Sequence, residues 1–330
     1  MESTIVAARR THPWVDRGRE TIRFGLAYGP RSDWLECRDL VQEVEALGFD
    51  SYWTMDHPTS GMDCWTLLSA LAVTTSTIRL GMAVNCIFYR SPTLLARMAA
   101  DVDRLSGGRL ILGLGIGNHE KEFAKMGIPF LSVRERQEAL AETLNIVEGL
   151  WGGTPFTYSG KYFQVREANV RPGPAQQPYV PILLAGGGER VTLRNVAQFS
   201  DIANFGPDKR AGSAFTPADI MRKYDVLAQH CAELGRDYDS ILRSYSAAPV
   251  LVAETQARLR EKLDAIPVHI REGYATSTVT GTLDEICSYF KTLVNAGVRY
   301  FIVGIFGNDL ETVRLLGKLV VPQLTTHQPL

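Results

Sequence analysis

Arg109–Phe123 reads RLILGLGIGNHEKEF, and the rest of the chain is organised around this stretch. Its apolar run, Leu110–Ile116, carries alternating glycines at Gly113 and Gly115, with Gly117 just beyond, and then meets a polar cluster of Asn118, His119 and Glu120. A run this uniformly apolar suits a strand covered on both faces, as in a parallel sheet. Glycine removes the side chains from the end of that strand, so backbone can approach something flat or large. Polar groups form a rim, and a helix starts near Glu120. A buried strand ending in bare backbone describes the floor of a ligand site; the alternative is a glycine-rich turn without a ligand.

Working outward, seven more short apolar runs occur, at Phe24–Tyr28, Ser51–Met55, Leu80–Val84, Val180–Ala185, Ile202–Phe205, Ala248–Val252 and Tyr300–Phe306. Helix signals separate them. Asp33 can cap a helix that stops at Gly48, and Ser91-Pro92 pairs an N-cap with a proline at the first helical position. Ser132-x-x-Glu135 and Thr282-x-x-Glu285 are capping boxes. Eight strands alternating with helices predict an α/β fold, the eightfold β/α (TIM) barrel with insertions in its loops; a doubly wound open sheet is the second choice. Residues 1–21 are expected to be an N-terminal extension that drapes over the body, and residues 22–330 a single domain. Two connections are long: Gly152–Gln177 suggests a hairpin-like insertion, and Ala265–Gly281 a mobile lid near the last strands.

Composition narrows the partners. The 330 residues are 45% hydrophobic and 22% charged, as in ordinary globular chains, with a net charge of -1 and no dense Lys/Arg block. Nucleic acid and anionic membranes are therefore not expected partners. The five cysteines are scattered without a CxxC, which fits a reducing cytoplasm and argues against a disulfide framework or a zinc site. Met1–Arg23 lacks the apolar core of a signal peptide, and no run approaches the roughly 20 apolar residues of a membrane span. The expectation is a soluble, cytoplasmic protein.

In a β/α barrel the chemistry sits where strands end. The second run ends in Asp56-His57, the third in Val84-Asn85-Cys86 with Tyr89 and Arg90 beyond, the fourth in Gly117-Asn118-His119-Glu120, the fifth in Ala185-Gly186-Gly187-Gly188. Three glycines before a helix can cradle a phosphate, because free N–H groups and the positive helix end point the same way; the alternative is a flexible turn. No Gly-Lys-Ser/Thr follows them, and Asn118 stands where a dinucleotide fingerprint needs its third glycine. His57, beside Asp56, can act as acid or base; His119 is the second candidate. Asp56, Glu120 and Glu122 lack HxH or HExxH spacing, so no metal is expected. Arg90, Lys209, Arg210 and Arg271 are the basic candidates for meeting a substrate.

Together these residues resemble the luciferase-like family of flavin- and deazaflavin-dependent oxidoreductases. The resemblance covers about Phe24 to Leu324 and is carried by Leu80-Gly81…Arg90-Ser91-Pro92, Gly107-Gly108-Arg109…Gly113-x-Gly115-x-Gly117, Gly127-Ile128-Pro129…Arg134-Glu135-Arg136 and Ala185–Gly188. It implies a barrel, commonly dimeric, that binds the coenzyme ring at its C-terminal mouth. It further implies that Asp56-His57 matches the Asp-His of the branch using coenzyme F420, a 5-deazaflavin. Ala83-Val84 then matches a non-prolyl cis peptide behind the central ring. Asn85, Gly115, Gly117, Asn118, Ala185, Gly186, Gly187 and Gly188 fall among the residues lining coenzyme and phosphate. Bacterial luciferase has an arginine for the FMN phosphate where this chain has Ile116, and an acidic-serine pair near Gly187-Gly188. The deazaflavin-dependent sugar-phosphate dehydrogenase has a glutamate at the position of Asn118. The implied reaction is hydride transfer between F420 and a small organic substrate. The alternatives are an FMN-dependent monooxygenase using oxygen and a separate flavin reductase, and a catalytically silent flavin-binding protein.

Overall fold

Residues 11–17, 21–28, 33–209, 212 and 214–325 are described by the computed structural model. Its eight barrel strands are β1 (Arg23–Ala27), β2 (Ser51–Thr54), β3 (Arg79–Met82), β4 (Leu110–Gly115), β5 (Ile182–Ala185), β6 (Ile202–Phe205), β7 (Leu242–Ala253) and β8 (Tyr300–Ile305). Each pairs in parallel with its neighbours, and β8 returns to β1, with Arg23 opposite Tyr300, to close the ring. The eightfold barrel is therefore the fold, and seven of the expected runs coincide with its strands.

The seventh run is placed differently. The barrel pairing here begins earlier, at Leu242–Ala247, which pair with β6 and β8 before a bulge. Ala248–Val252 is the later half of the same strand, where Val250 still pairs with Ile305 of β8 and Val250–Ala253 run beside the short strand Val279–Thr282. Ser244 and Ser246 make this stretch look polar in sequence. Inside the barrel they bond Asn204 of β6, whose amide donates to Ser244 Oγ at 2.7 Å and accepts from Ser246 Oγ at 3.1 Å. A satisfied polar layer thus replaces the apolar pattern that marks the other strands.

The helices start where their caps predict. Asp33 accepts from the N–H groups of Leu35 and Glu36, Ser91 from Leu94, and Ser132 and Glu135 close a capping box. Glu285 accepts the Thr282 N–H at 2.7 Å. The insertion after Trp151 contains an antiparallel hairpin, Phe156–Ser159 with Gln164–Ala168. The segment 265–281 contains a short helix, Val268–Gly273, and leads into the strand Val279–Thr282 that pairs alongside β7.

One apolar layer lies between sheet and helices, and a second fills the barrel interior. Trp53 dominates the interior; Gly25 and Gly81 flank its ring so closely that a Cβ on either would come within 2.7 Å of it. Below it, at the end where the strands begin, the helix Pro13–Asp16 buries Trp14 and Val15. Trp14 meets Tyr300 edge-on with centroids 5.9 Å apart, and the guanidinium groups of Arg23 and Arg79 lie 4.4 and 4.7 Å from its ring centroid. The expected surface extension is, over residues 13–16, a plug inserted under the barrel. All five cysteines are buried and free. Among the described residues no helix is long and apolar enough to cross a membrane.

Candidate active site

The carboxyl ends of the strands surround a cavity of ≈ 700 Å³. It is lined by Asp56 and His57 after β2, Ala83 and Val84 after β3, and Gly115, Gly117, Asn118 and His119 at the end of β4. Ala185, Gly186 and Gly188 after β5 complete the set expected from sequence. The expected groups are thus brought to one mouth, with two exceptions.

Asn85 is the first. It belongs to the two-residue strand Asn85–Cys86, which pairs with Leu114 and Gly115, and it is 1% exposed. Its carbonyl accepts from Trp65 Nε1 at 3.4 Å and Arg90 Nη1 at 3.3 Å, and its amide meets the Met82 sulfur. The alternation of side chains along a strand turns it away while its neighbours Val84 and Cys86 face the cavity. Gly187 is the second. Its carbonyl accepts from the buried Lys223 Nζ at 2.6 Å, and a Cβ there would lie 2.0 Å from the Gly212 carbonyl. Its neighbours hold the wall: Gly186 has φ +129°, a conformation that suits glycine.

The floor has a definite construction. The Ala83–Val84 peptide is cis, as the resemblance implies. A Cβ at Gly113 would lie 1.8 Å from the Met82 carbonyl, and one at Gly115 2.5 Å from Val84 Cγ2. These glycines therefore admit the protein's own β3 end, which in turn forms the floor. Gly117 has φ +70° and lies against Phe123 and Cys86. Arg136, which lines the cavity, holds this strand end through the carbonyls of Ile116 and Gly117 and also donates to Leu131 O at 3.0 Å.

Asp56 and His57 are not partners. Asp56 accepts from Arg90 Nη1 at 2.8 Å, the Cys86 N–H at 3.2 Å and Cys64 Sγ at 3.3 Å. His57 Nδ1 instead faces Glu122 Oε2 at 2.9 Å. Glu122 sits on the helix Glu120–Lys125 and also accepts from Tyr89 OH and Thr59 Oγ1, both at 3.1 Å. Burial pushes the Glu122 carboxyl up, but His57, Tyr89 and Thr59 outweigh it and hold the group below its ordinary value. His119 stands edge-on to His57, with ring centroids 5.3 Å apart. The role of Glu122 is not evident from spacing; its one signal is a carboxylate one helical turn after the rim residue His119.

Among the basic candidates, Arg90 is held between Asp56 and Asp63, each at 2.8 Å, and Arg271 donates to the Leu263 carbonyl at 3.4 Å with Asp264 at 3.6 Å. Lys209 lines the cavity, on the loop after β6; Arg210 lies outside the described residues. Asn118 Nδ2 donates across the mouth to Asp208 Oδ2 at 3.3 Å. Gly273, Tyr274, Thr276 and Ser277 close one side, so the segment expected to be a lid does border the cavity.

A barrel with this mouth defines a class, and the chain belongs to it: the luciferase-like monooxygenase family model matches residues 1–298. Among characterised relatives, the 5,10-methylenetetrahydromethanopterin reductase of Archaeoglobus fulgidus is 24% identical, with 92% of this chain and all of that protein aligned. The F420-dependent glucose-6-phosphate dehydrogenase of Amycolatopsis mediterranei is 32% identical over 49% of this chain and 52% of its own length. Of solved structures, the coenzyme F420-dependent tetrahydromethanopterin reductase of Methanopyrus kandleri superposes with a TM-score of 0.77 at 21% identity, covering 92% of this chain and 99% of that one. A type II Baeyer–Villiger monooxygenase of Pseudomonas putida in complex with FMN superposes at 0.75 and 17% identity, covering 92% and 99%. The fold is common to both kinds of neighbour.

Proposed function

We propose that this protein is an F420-dependent oxidoreductase that moves a hydride between the deazaflavin and a small organic substrate at the barrel mouth. The observation that carries the reading is His57 on the cavity wall at the end of β2, beside a floor made by Ala83, Val84 and Gly115. The relatives named above that use F420 support it.

The residues present fit such a coenzyme. Ala83, Val84 and Gly115 offer a small apolar platform for a flat ring. The Gly186–Gly188 turn precedes the helix Thr192–Phe199, whose N-cap Val191 makes no side-chain cap bond, and a Cβ at Gly188 would meet Thr192 Oγ1 at 2.8 Å. Backbone N–H groups at a helix start favour a phosphate. When bound, the coenzyme supplies a hydride donor or acceptor carbon. The chain's own residues do the rest: the floor and glycine turn orient the ring, and His57 gives or takes the substrate proton, with His119 secondary. Apposition of the reacting carbons supplies most of the rate, and a positioned acid or base adds roughly 10²–10⁴-fold. A cytoplasmic homodimer acting on a small molecule completes the reading.

Fluorescence titration with F420 and with FMN tests it. Saturable binding of F420, and turnover of reduced F420 without oxygen or a partner reductase, is the expected result. Activity that requires FMN and oxygen would make the protein a monooxygenase, and retained coenzyme with no turnover a silent binder.

A further inference from the structure

Glu122 has no part in the reading above, yet its carboxylate is among the most tightly held groups of the cavity wall. Its side chain is 10% exposed. Oε2 faces His57 Nδ1 at 2.9 Å and accepts from Tyr89 OH at 3.1 Å, while Oε1 accepts from Thr59 Oγ1 at 3.1 Å. Three groups from the loops after β2 and β3 thus converge on one residue of the helix after β4. Asp56, adjacent to His57 in sequence, does not compete, because it is occupied by Arg90, Cys86 and Cys64.

The chemistry of the contact is directional. An ionised carboxylate only accepts, so the histidine atom facing it is an N–H. Nδ1 is then the protonated nitrogen, and Nε2 is the ring nitrogen that Glu122 leaves unengaged, on a residue that lines the cavity. We propose that Glu122 is a positioning residue for the proton step assigned to His57, holding the ring with Nδ1–H toward itself and Nε2 toward the substrate. This rests on the proposed reaction for its purpose but not for its geometry. In the reducing direction the substrate carbon gains a hydride from the reduced coenzyme. The displaced electron pair takes the proton from Nε2, and His57 returns to a neutral ring with Nδ1–H still on Glu122. Glu122 stays ionised throughout, and its charge stabilises the protonated ring before transfer. The titratable groups around the pair are Tyr89 and His119, with Cys86, Asp56 and Arg90 behind them. Burial holds the Tyr89 hydroxyl and the Cys86 thiol protonated, the thiol pushed up to about 12.

The test combines ring spectroscopy with kinetics. In coenzyme-free protein labelled with ¹⁵N-histidine, the neutral His57 ring should carry its proton on Nδ1, the tautomer that free imidazole side chains disfavour in water. Glu122→Gln should weaken that preference and lower kcat about 10- to 100-fold. It should also displace the acid limb of the kcat–pH profile, with substrate KM and coenzyme affinity within about threefold of wild type; Glu122→Asp should restore part of the loss. A wild-type ring protonated on Nε2 overturns the proposal, whatever the variants do. So does a Glu122→Gln protein with unchanged kcat and pH profile, or one that loses activity only because it no longer binds coenzyme. The spectroscopic arm needs no coenzyme, and the kinetic arm uses whichever coenzyme saturates the wild type. Failure of the F420 assignment is therefore told apart from failure of this one.

Discussion

At the scale of single residues the proposed chemistry turns on His57 and what faces it. Replacing His57 with alanine should lower single-turnover hydride transfer by roughly 10²-fold or more, about 3 kcal/mol of barrier, with coenzyme affinity much less affected. His119→Ala should be the milder change; near wild-type chemistry in His57→Ala, or simple loss of coenzyme binding, would reduce His57 to a wall of the pocket. Glu122 gives a pH dependence of stability. Its carboxyl sits below its ordinary value in the folded state, so its contribution is fully present above about pH 4.5 and is lost as pH falls through the lower folded value. Urea midpoints taken from pH 6 down to pH 3 should fall more steeply for the wild type than for Glu122→Gln. His57 was legible because histidine beside a strand end is a strong positional cue. Its partner was not: Asp56 is adjacent in sequence, but neighbouring residues past a strand end point to different places, and only the fold brings Glu122 to Nδ1.

At the scale of elements, β4 decides how the mouth is built. Its glycines announce close approach, and the sequence leaves open what approaches. The approaching group is the Met82 carbonyl at Gly113 and the Val84 side chain at Gly115. Gly113→Ala places a methyl against backbone, which has no rotamer to give way, and should cost about 1–3 kcal/mol or more. Gly115→Ala meets the tip of a side chain and should be milder; comparing the two denaturation midpoints checks this, and equal effects would mean the strand simply shifts. The capping motifs were readable because each is local, closed within four residues. The barrel part of β7 was not, since Ser244 and Ser246 look like surface until Asn204 from another strand satisfies them. Asn85 failed for a related reason: which face a residue takes depends on register with β4, which no local pattern reports.

At the scale of the whole molecule, eight alternating strands and helices favour a barrel over an open sheet, whereas the plug beneath it has no such signature. Residues 13–16 lie in a polar segment, and only the tertiary structure shows Trp14 entering the space under Trp53 and Tyr300. Trp14→Ala should cost about 3–5 kcal/mol. Lowered thermal stability with unchanged coenzyme binding is the expected pattern, because the plug and the mouth lie at opposite ends of the strands. An unaltered melting temperature would show that the plug contributes little. The plug also sets a timetable for synthesis. Trp14 leaves the ribosome well before Tyr300, the first residue of the closing strand, which lies far along the same chain. At about 5–20 residues per second, the tryptophan waits on the order of tens of seconds for the surface that will cover it. Throughout that interval an aromatic side chain meant for the interior of a finished barrel lacks the strand that will cover it, the kind of exposed apolar surface that favours aggregation.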